Sequence, residues 1–173
     1  GGTVLLLTNS PRPKPSVIAQ LDRIGVPRDA WDEIVSSGDA TQIALAQGAI
    51  GPRVHHIGAA KDESFFADYP ADIAAQMQAV TRVPMDQADG ILCTGLADDT
   101  VETPDDYRGK LLMGKTLGLT LLCANPDLIV DFATLTGAAR GAHGVGELLA
   151  FGHGLRAHLP GRVHVVLFLH RLD

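Results

Sequence analysis

Hydrophobic positions along the chain alternate between two periods. Residues 3–10, Thr-Val-Leu-Leu-Leu-Thr-Asn-Ser, form an apolar run ending in three small hydrogen-bonding side chains. Such a run suits a strand buried on both faces of a parallel sheet. Val17, Ile18, Leu21 and Ile24 then recur at helical spacing over 15–24, with Pro15 and Ser16 suited to the first turn and Gly25 and Pro27 stopping the helix. "WDEIVSS" reads as a short strand, and Ser37-Gly38-Asp39 as the cap of a helix reaching Gln47 with Ile43, Leu45 and Ala46 inside. Arg53 to Ile57 has strand character and closes at Gly58. Residues 62–79 read as a helix interrupted at Pro70, "ADGILCTGL" as a strand, Tyr107, Leu111, Leu112 and Leu117 as one helix face, and "LTLLCANPD" as a final strand with a turn. Strands alternating with helices over 33–125 predict an α/β unit with a mainly parallel sheet.

In open α/β sheets, ligands sit just beyond the carboxyl ends of strands, where Thr8, Asn9 and Ser10 fall. Their hydroxyls, amide and backbone N–H groups suit a phosphate. The plainer reading is a turn continued by Pro11 and Pro13, because Ser, Asn and Pro are ordinary turn residues.

Composition narrows the classes. The chain has 173 residues, 46% hydrophobic and 20% charged, enough for one domain with a core or a domain plus a fragment. A net charge of −6 without a Lys/Arg cluster argues against a nucleic-acid surface. Neither a leader-like start nor an apolar run of about 18 residues occurs, so no membrane span is expected and the chain reads as cytoplasmic. Cys93 and Cys123 lie in apolar runs and read as two buried reduced thiols.

Two acidic or histidine-rich features invite a metal reading. Adjacent strand residues point to opposite faces, so His55 and His56 do not converge on one ion. The loop "LADDTVETPDDY" carries Asp98, Asp99, Glu102, Asp105 and Asp106, oxygen donors that suit a hard cation. Its spacing matches no defined ligand loop, and acidic residues after Pro104 also suit a helix's first turn.

"VLLLTNSPRPKPSVIAQLDRIGVP", "EIVSSGDAT" and "ADGILCTGLADDTVETPDDYRGKLLMGKTLGLTLLCANPD" together resemble the haloacid dehalogenase-like hydrolases of class IIA over about residues 1–130. The resemblance implies a partial Rossmann-like core over 1–37 and an α/β cap over 38–127 that closes over the active site and selects the substrate. It implies a phosphatase of a small phosphorylated metabolite, with Thr8 contacting the phosphoryl group and Asn9 beside it. In that family an upstream strand carries an Asp nucleophile, and a Lys and a final acidic pair complete a Mg²⁺-dependent site. Those motifs are absent from this sequence, so the Mg²⁺ ligands are expected to be missing and the chain to be a truncated, inactive form. A non-catalytic phosphate- or metabolite-binding fragment is the alternative.

From 131 the character changes. Five of seven histidines (His143, His153, His158, His164, His170) fall there, and 17 acidic against 10 basic residues before it give way to 3 against 4. "PDLIVDFATLTGAAR" (126–140) is similar to a segment of the leucyl aminopeptidases. The position of a Glu metal ligand in their motif is held by Arg108, so that activity is not expected to carry over. Residues 128–173 read as an atypical tail, chimeric or frameshifted; the plainer reading is an ordinary α/β extension with "RVHVVLFLH" (162–170) as one terminal strand. The histidine spacings give no converging metal set.

Overall fold

A computed structural model describes residues 3–124. The segment 126–140, the tail histidines and the strand expected over 162–170 lie outside the described residues. Strand β1 (Leu5–Thr8) is followed by α1 (Lys14–Arg23), β2 (Glu33–Ser36) and α2 (Ser37–Ala46). The strands β1 and β2 pair in parallel, from Leu5 opposite Glu33 to Thr8 opposite Ser36. A second parallel sheet holds β3 (Arg53–Ile57), β4 (Thr81–Arg82), β5 (Gly90–Cys93) and β6 (Thr120–Cys123) in the order β4-β3-β5-β6. Between β3 and β4 lie α3 (Ser64–Ala67) and α4 (Ala74–Gln78), and α5 (Arg108–Thr116) connects β5 to β6.

Both faces of the second sheet are covered. Leu45 of α2, Phe65 of α3 and Met77 of α4 pack with Val54, Leu92 and Leu122. Tyr107 and Leu111, at the start of and within α5, pack on the other face with Ile57, Ile91, Cys93 and Cys123. Alternate strand residues thus enter different cores, the period of two expected of a pleated strand. Cys93 and Cys123 form no disulfide, are buried and lie opposite one another in the β5–β6 pairing.

Several expectations need correction. The strand at 3–10 is not buried on both faces among the described residues: Val4, Leu5 and Leu7 are 46%, 49% and 53% exposed. Its sheet has β2 as its one described neighbour, and apolar residues are buried only where another element covers them. The cap of α2 is Ser36, one residue before the expected Ser37. Ile24, at the end of α1, is exposed. The helix expected over 62–79 is interrupted at Pro70 as expected, but its two parts are shorter than expected, α3 and α4, each preceded by a 3-10 turn, with Pro70 capping the second turn. Leu112 on α5 and Leu117 at its C-cap are exposed. Gly114 faces inward instead, where a Cβ would lie 2.4 Å from Ile91 Cδ1. The two-residue strand β4 was not expected, because Thr81-Arg82 has no apolar run to announce it.

Candidate functional site

The carboxyl ends of β1 and β2 meet the starts of both ten-residue helices α1 and α2. Turn chemistry follows Thr8: the Ser10 N–H donates to Thr8 Oγ1 at 3.2 Å, and the Arg12 N–H donates to Ser10 Oγ at 3.2 Å. These side-chain to backbone bonds hold the chain in a turn rather than a continued strand. The Thr8 oxygen accepts one bond there, and its own proton has no acceptor among the described residues. Thr8, Asn9 and Ser10 are all half-buried.

The first turn of α2 presses on that loop. Gly38 donates its N–H to Ser10 O at 3.0 Å. A Cβ at Gly38 would lie 2.4 Å from Pro11 O and 2.6 Å from Arg12 C, a backbone clash that makes glycine necessary. Ser36 and Asp39 form a reciprocal capping box. Asp39 also accepts the Lys14 N–H at 2.8 Å, and the Lys14 ammonium pairs with Glu33. That bond to Lys14 holds the Glu33 carboxyl below its usual pKa. The turn and both helix starts are therefore one hydrogen-bonded assembly. Its members Gly38 and Asp39 carried a readable signal, the Ser-x-x-Asp capping pattern at 36–39, although their contact with residues 10–14 did not.

The acidic loop is organised around its own bonds. Asp98 Oδ1 accepts the Thr100 N–H at 3.0 Å and its hydroxyl at 2.6 Å. Glu102 accepts the Tyr107 hydroxyl at 2.7 Å. Asp106 accepts the Thr103 N–H at 2.7 Å, Asp99 pairs with Lys61, and Asp105 pairs with Arg108. The five carboxylates are dispersed among five structural tasks, and no metal-holding group of three or more His, Cys, Asp or Glu occurs among the described residues. The described donors do not fit a Mg²⁺ site.

The two histidines separate as expected of strand neighbours. His55 Nδ1 lies 3.2 Å from Val83 O. His56 Nε2 lies 2.9 Å from Thr94 Oγ1, and Thr94 donates to Asp62 Oδ2 at 2.7 Å. The single hydroxyl proton of Thr94 goes to Asp62, so the network assigns the donating hydrogen to His56 Nε2. Burial pushes the His56 pKa below its ordinary value. This hydrogen-bonded chain lies at the carboxyl ends of the adjacent parallel strands β3 and β5, which pair from Val54 opposite Gly90 to Ile57 opposite Cys93. Gly58 is required beside it, since a Cβ there would lie 2.1 Å from Thr94 Oγ1. Nothing in the sequence pattern joined these residues, which are separated by up to 38 positions.

The fold is similar to the crystal structure of a hydrolase of the haloacid dehalogenase-like family from Brucella suis 1330, at 36% sequence identity and a TM-score of 0.67. The likeness covers 78% of this chain and 53% of that one. It supports the haloacid dehalogenase-like superfamily. The mixed α/β architecture with parallel sheets is consistent with the Rossmann-like fold of those hydrolases. This chain spans about half the length of that haloacid dehalogenase-like relative. The relationship is consistent with Mg²⁺ dependence in general, though the described residues supply no ligand set. No family model and no curated protein matches the sequence. Among the described residues no helix is long and apolar enough to cross a membrane.

Proposed function

We propose that this chain carries the phosphate-contacting turn and the class IIA cap of a haloacid dehalogenase-like hydrolase acting on a small phosphorylated metabolite. Core residues run to about 37 and the cap from 38 to 127 in this reading. The observation that supports it is the half-buried Thr8 hydroxyl at the carboxyl end of a parallel strand, with a proton that no described group accepts. That proton would go to a non-bridging phosphoryl oxygen, with Asn9 and Ser10 beside it. A second reading, phosphate binding without turnover, is favoured by the commitments of the nearby carboxylates. Glu33 is paired with Lys14, and Asp39 is occupied by Lys14 and Ser36. Neither is available to attack phosphorus.

This chain is expected to release no phosphate above background from a generic phosphomonoester with Mg²⁺. Phosphate release that disappears in Thr8→Ala would overturn the binding-only reading. Inorganic phosphate is expected to bind with a millimolar dissociation constant, roughly −4 kcal/mol, because the net charge of −6 repels anions. Titration following the amide signals of Thr8, Asn9 and Ser10 measures it; unmoved amides at saturating phosphate would sink the phosphate role.

A further inference from the structure

Helix starts leave backbone N–H groups without intrahelical partners, and together with the helix dipole these attract anions. Here the starts of α1 and α2 converge on one loop, and a single side chain serves both. Asp39 Oδ1 accepts the Lys14 N–H at 2.8 Å, from a residue 25 positions away. Its Oδ2 accepts the Ser36 hydroxyl at 2.8 Å and the Ser36 N–H at 3.3 Å. Ser36 Oγ in turn accepts the Asp39 N–H at 3.0 Å. Between the two helix starts runs the Thr8–Ser10 turn and the Pro11–Pro13 segment. The Ser10 carbonyl is held by the Gly38 N–H, from the residue directly before Asp39.

We propose that Asp39 is a positioning residue for the Thr8–Ser10 turn, a built-in anion that locks α1 to α2 and so fixes where the Thr8 hydroxyl points. This deepens the phosphate reading and rests on it. Asp39 acts through Lys14 and Gly38 and does not itself touch the phosphoryl group, since two anions in contact repel. Two oxygens are needed. Asparagine offers one acceptor oxygen and an NH₂ that faces donors, so Asp39→Asn must abandon either Lys14 or Ser36. Glycine at 38 allows the close approach that transmits the lock, because any side chain there meets the Pro11 and Arg12 backbone. The ordinary alternative is that Asp39 only caps α2. Ser36→Ala isolates that role, since it removes the hydroxyl of the capping box and leaves the Lys14 bond in place.

The test uses the full chain, with inorganic phosphate as the probe and amide shifts at residues 8–10 as the readout. Urea midpoints record stability alongside. Asp39→Asn is expected to weaken phosphate binding by about tenfold, whereas Ser36→Ala, though destabilised by a similar amount, is expected to stay within about threefold of wild type. Affinity falling equally in both variants, or in neither, overturns the proposal. Lys14→Pro deletes the donor from the other side at a helix position that tolerates proline, and is expected to reproduce the loss while Lys14→Gln does not. That pair decides the matter if Asp39→Asn fails to fold. Should wild-type amides not respond to phosphate at all, the phosphate reading fails, and hydrogen exchange decides the positioning role by itself. Faster exchange of the Gly38 amide in Asp39→Asn, with Ile91 and Leu92 unchanged, supports the lock. Unchanged exchange at Gly38 overturns it.

Discussion

The strands β1 and β5 are written in nearly the same alphabet, Leu-Leu-Leu-Thr and Gly-Ile-Leu-Cys, yet their surroundings differ. Ile91, Leu92 and Cys93 of β5 are 2%, 0% and 0% exposed, with a strand on each side and helices on both faces. Leu5 and Leu7 of β1 are about half exposed, with β2 as the one described neighbouring strand. An apolar run therefore specifies a strand that can be buried, and the number of layers around it decides whether it is. The functional features follow the same division. The open sheet carries the candidate phosphate turn at its end, and the wrapped sheet carries the hydrogen-bonded His56, Thr94 and Asp62.

The largest effect should come from truncating the two strands in parallel. Leu92→Ala is expected to cost about 2–5 kcal/mol, as large-to-small changes in packed cores do. Leu7→Ala is expected to stay within about 0.5 kcal/mol, the range for substitutions at exposed sites. Urea denaturation of both variants measures the difference. Equal costs would break the comparison, because they would mean that Leu7 is covered in solution.

A smaller effect sharpens the contrast through glycine. At Gly58 an added Cβ meets side chains, Thr94 Oγ1 at 2.1 Å and His56 Nε2 at 2.6 Å, whereas at Gly38 it meets the Pro11 and Arg12 backbone. Each alanine variant is expected to lose about 1–3 kcal/mol from overpacking. Gly38→Ala should lose more, since side chains rotate away and a loop held by hydrogen bonds does not. A Gly58→Ala loss exceeding that of Gly38→Ala would show that the His56, Thr94 and Asp62 chain is the stiffer of the two assemblies.

The smallest effect is a pH dependence confined to the wrapped sheet. Burial lowers the His56 pKa from 6.5 against the opposing charge of Asp62 and Glu63, with Arg82 and His55 also acting to lower it. As pH falls through that value the unfolded chain takes up the proton first, so stability is fully present above it and declines below, towards the depressed folded value. His56→Gln keeps a donor for Thr94 but cannot titrate. Its urea midpoint is expected to fall less between pH 7.5 and pH 5.5 than that of wild type; parallel declines would remove His56 as the source.

Much of the architecture was legible because it is local. The α2 start follows from Ser36 and Asp39 at capping-box spacing, misread by one residue because Ser36 and Ser37 are the same amino acid. Pro70 marked the break before the second 3-10 turn, and the alternating apolar runs located β3, β5 and β6. Periodicity failed around α5, where Leu112 and the C-cap Leu117 share the apolar character of Leu111 but are exposed. Glycine 114, with no side chain to score, is what lets that helix approach Ile91.

By itself, then, the sequence determined the strands β1, β2, β3, β5 and β6 and the helices α1, α2 and α5, that the strands run mainly in parallel, and that Thr8, Asn9 and Ser10 fall at a strand's end. Those properties depend on backbone preference and on periodicity, which act over a few neighbouring residues. Only the tertiary structure decided that Leu5 and Leu7 of β1 stay about half exposed, that Asp39 ties the starts of α1 and α2, and that His56 reaches Asp62 through Thr94. Each of these joins residues far apart in the chain, and hydrogen bonds and burial depend on distance in space, which no local pattern encodes.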